Sequence, residues 1–317
     1  MRQIQYKRAK YQSGMALPMV LWTIALLSAV TLLLVGIIEG WITEETREGK
    51  DFRARQQALS GIAIALNPGI QPGDPLLNQH FNMAEEGYKV VIKDESGLIN
   101  PNAVLSVIPD RRDLLKRLFS AWGLDVNQSD AAADSLYDWQ SPSPFRSLHG
   151  AKKPEYDVVG RSGLPPGAPF NSPVEMALVL GFEPVIKARP DWRSFFTTFY
   201  SGKINILHAP KPILTGLLGL SPEQADQWIS LRAGKDGIEG TSDDLKVDTI
   251  DHAADLIGAT GAERAFIMDV CDISGNVLRI ESTGFCNGRS HRITVIYSST
   301  STDNPQSHGN LLGWIEQ

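Results

Sequence analysis

The densest grouping of side chains able to do chemistry lies between Asp236 and Asp255. Asp236, Glu239, Asp243, Asp244, Asp248, Asp251 and Asp255 stand there against a single base, Lys246. Calcium takes about six to eight oxygen ligands from carboxylates and carbonyls, and glycines let a loop curl around it. The run Lys235-Asp236-Gly237-Ile238-Glu239-Gly240-Thr241-Ser242-Asp243-Asp244 supplies both. Asp243 and Asp244, adjacent after a Gly-x-Ser turn, are the leading ligands; Asp236, Glu239 and Asp248 complete the candidate set. The spacing is not that of an EF-hand, whose terminal glutamate is missing. The competing reading is a solvated acidic turn, which leaves the mutual repulsion of these charges unrelieved.

The other reactive residue types are sparse. Cys271 and Cys286 are the two cysteines. They lack CxxC spacing and cannot make a four-ligand zinc site by themselves. Near the ends of β segments, and in an oxidising compartment, they would form a disulfide. The six histidines are scattered without an HExxH, and no GxSxG occurs. No catalytic residue is assigned, and the chain is not read as an enzyme. The segment Gly219–Arg232 has the outline of a helix-hairpin-helix. Yet residues 104–262 hold 16 basic and 20 acidic residues, within a chain of net charge −6. An electrostatic footprint for nucleic acid is absent.

The elements that position these residues begin with a membrane signal. Arg2, Lys7, Arg8 and Lys10 precede Met15–Ile38, 24 residues without a charge. As a helix this stretch is about 36 Å long, enough to cross a bilayer, with the basic end cytoplasmic and the rest outside. It is too long for a cleaved secretory signal and has no small-x-small site after it. The junction Ser13-Gly14-Met15-Ala16-Leu17-Pro18 resembles the leader of type IV pilins and pseudopilins, which prepilin peptidase cuts after the glycine. Pro18 would then lie in the first helical turn, where amides have no intrahelical acceptor. The helical pattern continues through Phe52, Leu59, Ile62 and Leu66 to a break at Asn67-Pro68-Gly69.

Beyond the break, Tyr88–Lys93 has strand composition. Far downstream, Val277–Ser282 alternates apolar and polar, and Asn287-Gly288 offers a hairpin turn before Ile293, Val295 and Tyr297. Each β region is too small to stand alone. The expected fold class is therefore α+β: a long N-terminal helix packed on an antiparallel sheet, with a large all-α insertion between strands. The expected organisation is a leader over 1–14, a transmembrane part over 15–38 and the first part of the head over 39–103. The helical insertion follows over 104–262, the C-terminal strands over 263–300, and a polar tail over 301–317. Within the insertion, Asp113–Trp122, Asp130–Trp139, Pro173–Leu180 and Pro222–Ala233 have helical spacing. Leu311, Leu312 and Trp314 are the tail residues that could dock.

Several motifs, taken in order, resemble the minor pseudopilin K family of the bacterial type II secretion system. They are Asp94-Glu95-Ser96-Gly97-Leu98-Ile99-Asn100-Pro101-Asn102-Ala103, then Asp138-Trp139 and Asn171-Ser172-Pro173-Val174-Glu175. Ile204, Asn205, Ala209 and Pro210 follow, and then the helix opened by Ser221-Pro222-Glu223. The resemblance implies a structural subunit that initiates and caps the pseudopilus tip. It would sit in the inner membrane with a periplasmic head and other minor pseudopilins as partners. Met19 stands where most pilins carry glutamate, an absence that is the habit of this subunit and suits a place with none above it. Calcium occurs in the family. Gln140-Ser141-Pro142-Ser143 and Gly150-Ala151-Lys152 depart from its acidic pattern. The rival readings are a minor pilin of a type IV pilus and a membrane-tethered periplasmic binding module.

Overall fold

The computed structural model describes residues 16–67, 69–81, 85–106, 111–298 and 309–317, with backbone alone at 16 and 38–46. Gly14 and Met15, the expected cleavage junction, lie outside the described residues. Contacts divide the chain into two units, Met1–Arg53 and Ala54–Gln317.

Helix α1 (Ala16–Ala65) runs 50 residues. Its segment Leu17–Ile37 has a mean hydropathy of 2.5 and is long and apolar enough to cross a membrane once. Pro18 falls in the first turn, where its missing N–H costs no intrahelical bond.

Among the described residues of the second unit, seven strands form two sheets. They are β1 (Asn78–Phe81), β2 (Glu86–Asp94), β3 (Ile204–Asn205), β4 (Cys271–Asp272), β5 (Val277–Cys286), β6 (Arg289–Ser298) and β7 (Asn310–Glu316). Five make an antiparallel sheet in the order β1-β2-β5-β6-β7, while β3 and β4 pair in parallel. β5 and β6 are joined by Asn287-Gly288 with φ of 46° and 80°, both positive as a two-residue hairpin turn with matching twist requires. β2 and β5, distant in sequence, lie side by side, so the expected split sheet is present. The tail departs from expectation. Residues 310–316 are not a loose end but the fifth strand of this sheet, paired along β6.

One sheet face buries Tyr88, Val90, Ile280, Ile293 and Val295 against Ala58, Ile62 and Ala65 of α1. The approach is close because the crossing residues are small. A Cβ on Gly284 would lie 2.0 Å from the Ala54 carbonyl oxygen and 2.3 Å from the Ala58 nitrogen. A Cβ on Gly61 would meet Ser282 Oγ at 2.3 Å.

Between β2 and β5 come nine helices among the described residues. They are α2 (Pro101–Ser106), α3 (Arg112–Ala121), α4 (Val126–Gln140), α5 (Lys153–Val158) and α6 (Glu183–Ala188), followed by α7 (Lys211–Ile213), α8 (Pro222–Arg232), α9 (Ile250–Ile257) and α10 (Gly261–Val270). A 3-10 turn covers Pro173–Leu178. The helical region thus reaches a few residues past each expected boundary, and α10 falls where strands were expected. Its core is separate from that under α1. Leu115, Leu118, Phe119, Leu136, Phe182 and Trp192 are fully buried there, with Trp139 stacked on Phe170 at 5.7 Å between centroids.

The expected disulfide is corrected. Cys271 and Cys286 are both buried and are not bonded to each other. Cys271 stands in β4, before β5 begins, and Cys286 ends β5. A ten-residue strand spans about 30 Å, whereas a disulfide needs Cα atoms within about 7 Å.

Candidate functional site

The acidic loop connects α8 to α9. α8 starts with a full capping box: Ser221 accepts from the Gln224 amide, and the Gln224 side chain accepts from the Ser221 amide. Pro222 occupies its first turn. Past Arg232 the chain turns through Gly234, Gly237 and Gly240, all at positive φ. That freedom folds the loop back on itself, so Asp243 Oδ2 accepts from the Lys235 and Asp236 amides at 2.8 and 3.2 Å. Asp244 Oδ2 accepts from the Gly240 amide at 2.6 Å.

The remaining oxygens converge on one atom. Thr241 Oγ1 lies 3.0 Å from Asp236 Oδ2, 2.6 Å from Asp243 Oδ1, 3.3 Å from Asp244 Oδ1 and 3.2 Å from the Ile238 carbonyl oxygen. A hydroxyl has one proton, so it satisfies only one of these four acceptors at a time. Among the described residues no three acidic, histidine or cysteine side chains stand ready around a metal position. The reason is local: the point of convergence holds the Thr241 hydroxyl. The Thr241 hydrogen bond, helped by the Lys235 and Asp236 amides, holds the Asp243 carboxyl down at about 2.

The loop brings together three of the five expected ligands. Glu239 turns away, its Oε1 taking Arg232 Nε at 2.9 Å and Nη2 at 2.7 Å, while Oε2 stands 3.7 Å from His208 Nδ1. Burial works to raise the Glu239 carboxyl, but His208 and Arg232 outweigh it and the net shift is down. Asp248 is exposed and makes no contact with the group at Thr241. Opposite charge claimed Glu239, and spacing alone does not show where an arginine will reach.

Arg232 explains the motif around Ile204–Pro210. It is buried, with Nη1 donating to the Ile206 and Ala209 carbonyls at 3.0 and 2.8 Å. Trp228 Nε1 also donates to the Ile206 carbonyl, at 3.0 Å. The turn therefore carries α8 and, through Glu239, the start of the acidic loop. The other motifs are likewise joints. Asn100 caps α2 by accepting from the Asn102 amide at 2.9 Å. Asn102 exchanges two hydrogen bonds with the Phe170 backbone, at 2.9 and 2.8 Å. A Cβ on Gly97 would strike the His208 carbonyl oxygen at 2.2 Å, so the glycine admits one strand of chain against another.

Asp138 is fully buried and accepts from the Ser147 amide and hydroxyl at 3.0 and 2.9 Å. Burial pushes its carboxyl up, against the pull of those bonds. Lys152, where acidic character was the pattern, donates from Nζ to the Asp138 and Ser141 carbonyls, each at 2.7 Å. Its ammonium thus ties off the C-terminal end of α4.

The family comparison bears on the first part of the insertion. Residues 96–189 match the family model described as type II secretion system (T2SS), protein K. Over that stretch the chain is similar to this family. The matched residues include the Ser96–Ala103 stretch, Asp138-Trp139 and the Asn171–Glu175 motif. The fold is also similar to one chain of the crystal structure of the GspK-GspI-GspJ complex from the enterotoxigenic Escherichia coli type 2 secretion system. The TM-score is 0.60 at 16% identity, over 83% of this chain and 93% of that chain. No curated protein sequence matches significantly. The matched stretch therefore sits within a pilin-like α+β fold.

Proposed function

We propose that the chain is a minor pseudopilin of a type II secretion system, acting at the tip of the pseudopilus. The observation that supports it is a stretch similar to the protein K family, set in a helix-on-sheet scaffold that has one membrane-length helix among its described residues. In this reading α1 anchors the protein in the inner membrane with its head in the periplasm. Prepilin peptidase cuts after Gly14, leaving Met15 as an N-methylated first residue. Other minor pseudopilins are its partners, since the similar solved structure is a three-protein complex named for such subunits. No residue is assigned a catalytic role. The acidic loop takes calcium through Asp236, Asp243 and Asp244.

The test is genetic and biochemical. Disrupting the gene in its own host should leave exported enzymes in the periplasm, and the intact gene should restore export. The full chain should copurify with the other minor pseudopilins of the same cluster, carrying Met15 at its N-terminus by mass spectrometry. Normal export in the disrupted strain would reject the role.

A further inference from the structure

Asn287-Gly288 is the one Asn-Gly pair in the chain. The β5–β6 turn needs it, because asparagine is among the few residue types that accept the positive φ of 46° at the first position. The same pair is chemically reactive, and three features of the turn leave it so. Glycine has no side chain to shield its nitrogen. Apart from its chain neighbours, nothing among the described residues lies within 4 Å of a Cβ built on Gly288. The Cys286–Arg289 pair closes the ladder, so the Gly288 amide lies outside it and no ladder bond holds it. The Asn287 side chain is exposed, and the bond recorded for it is a weak one, Nδ2 to Cys286 Sγ at 3.7 Å. An open cleft of about 580 Å3, lined by Glu85, Phe285, Asn287, Arg289 and Ser290, brings water to both residues.

We propose that Asn287 is a site of spontaneous covalent modification, converting in the folded protein through a succinimide to isoaspartate and aspartate. The Gly288 nitrogen gives up its proton to water and attacks Asn287 Cγ. The N–Cγ bond forms, the Cγ–Nδ2 bond breaks, and the NH2 group takes a proton and leaves as ammonia. One water then opens the ring. Cleavage at Cγ gives aspartate, and cleavage at the main-chain carbonyl carbon gives isoaspartate, with the chain rerouted through the side chain. No electrons are transferred, and water is the one co-reactant. Both products disturb the end of the sheet. Each sets a carboxylate beside Cys286, whose register partner Glu86 is buried. Isoaspartate also adds an atom to the main chain of a two-residue turn, which strains the bond from the Asn287 amide to the Glu85 carbonyl at 2.8 Å. Gly284, where the sheet meets Ala54 of α1, is in the same strand. This chemistry is independent of the secretion role proposed above.

The test is to incubate the full chain in detergent micelles at neutral pH and map its peptides by mass spectrometry, scoring isoaspartate by electron-transfer fragmentation. Asn287 should convert at least tenfold faster than any other asparagine, with isoaspartate the larger product. Asn287→Gly suits the same turn, so the fold is not at stake, and it should give no product there. As conversion proceeds, amide exchange over Cys286–Ser290 should quicken several-fold in the wild type and stay constant in the glycine variant. The urea-unfolded chain separates the part played by the fold from that of the dipeptide. Conversion of Asn287 in the unfolded chain but not in the folded one overturns the proposal. So does a folded-state rate no higher than those of the other asparagines, or hairpin exchange that full conversion leaves unchanged.

Discussion

Arg55 grips Glu316 with both teeth of its guanidinium, Nε to Oε2 at 2.8 Å and Nη2 to Oε1 at 2.9 Å, across 261 positions of sequence. The pair fastens the end of β7 to α1. β7 is an edge strand whose one sheet neighbour among the described residues is β6, with Leu311, Leu312, Trp314 and Ile315 exposed. Bidentate geometry gives a surface pair more hold than a single contact.

Glu316→Gln should therefore free β7 more than any other element. Amide exchange over 310–316 should accelerate several-fold by mass spectrometry, while β5 and β2 stay protected. The pH dependence has a definite sign. Hydrogen bonds from Arg55 and Trp314 hold the Glu316 carboxyl down at about 2. An unfolded glutamate titrates near about 4.3. The contribution of this contact is complete above that value, declines below it and is gone as pH falls through about 2. Protection of β7 should follow that window in the wild type and be flat across it in the variant.

The thiols make the second prediction. Burial pushes the Cys271 thiol up to about 12, so it should resist alkylation in the folded protein at neutral pH. After unfolding without reductant, iodoacetamide should add to both Cys271 and Cys286. Recovering an unalkylated pair that reacts only after reduction would contradict the geometry of β4 and β5.

Much of this architecture was legible in the residues. Asn287-Gly288 and the alternation around it announced the β5–β6 hairpin, because only a few residue types accept two successive positive φ values. Ser221-Pro222-Glu223 announced the start of α8 for the same kind of local reason. What was not legible was set by distance. β7 reads as a polar tail until Arg55 and β6 are placed beside it. The cysteines look paired when strands are counted as neighbours, but the length of β5 separates them. Glu239 looked like a ligand among acids, and its actual partner, Arg232, is fixed by carbonyls of a remote turn. Arg279 carries no such signal, since it is one charge in an ordinary strand pattern, and nothing in the motif after β2 shows that Glu95 will pair with it.

Gly284 provides a test of how α1 seats on the sheet. A methyl group there would lie 2.0 Å from the Ala54 carbonyl oxygen, and backbone cannot step aside as a flexible side chain can. Overpacking typically costs about 1–3 kcal/mol, and a clash with helix backbone belongs at the upper end. Gly284→Ala should lower the Tm by on the order of 5–10 °C. Thr283→Ala, one residue away on the opposite sheet face, should move it far less. Equal shifts for the two would mean that close approach at Gly284 does not hold the helix.

The acidic loop gives the sharpest test of the proposed ligand. Three carboxylates and a carbonyl now share the single proton of Thr241 Oγ1, so three acceptors always lack a donor from it. A calcium ion would meet all of them with positive charge, with Asp236, Asp243 and Asp244 supplying the carboxylate oxygens. Because such a ligand binds only the folded loop, it adds about 2.7 kcal/mol at a hundredfold excess over its Kd. For a chain of this size that is a Tm rise of several degrees, roughly. The full chain in detergent should show this rise with calcium and lose it with chelator. The double change Asp243→Asn, Asp244→Asn should abolish the response while leaving the chelated Tm close to wild type. Glu239→Gln should behave differently. It removes the partner of buried Arg232, so it should lower the Tm with and without calcium alike and leave the calcium-induced rise intact. A melting curve that calcium does not move would make the loop a solvated acidic turn, with Thr241 as its hub.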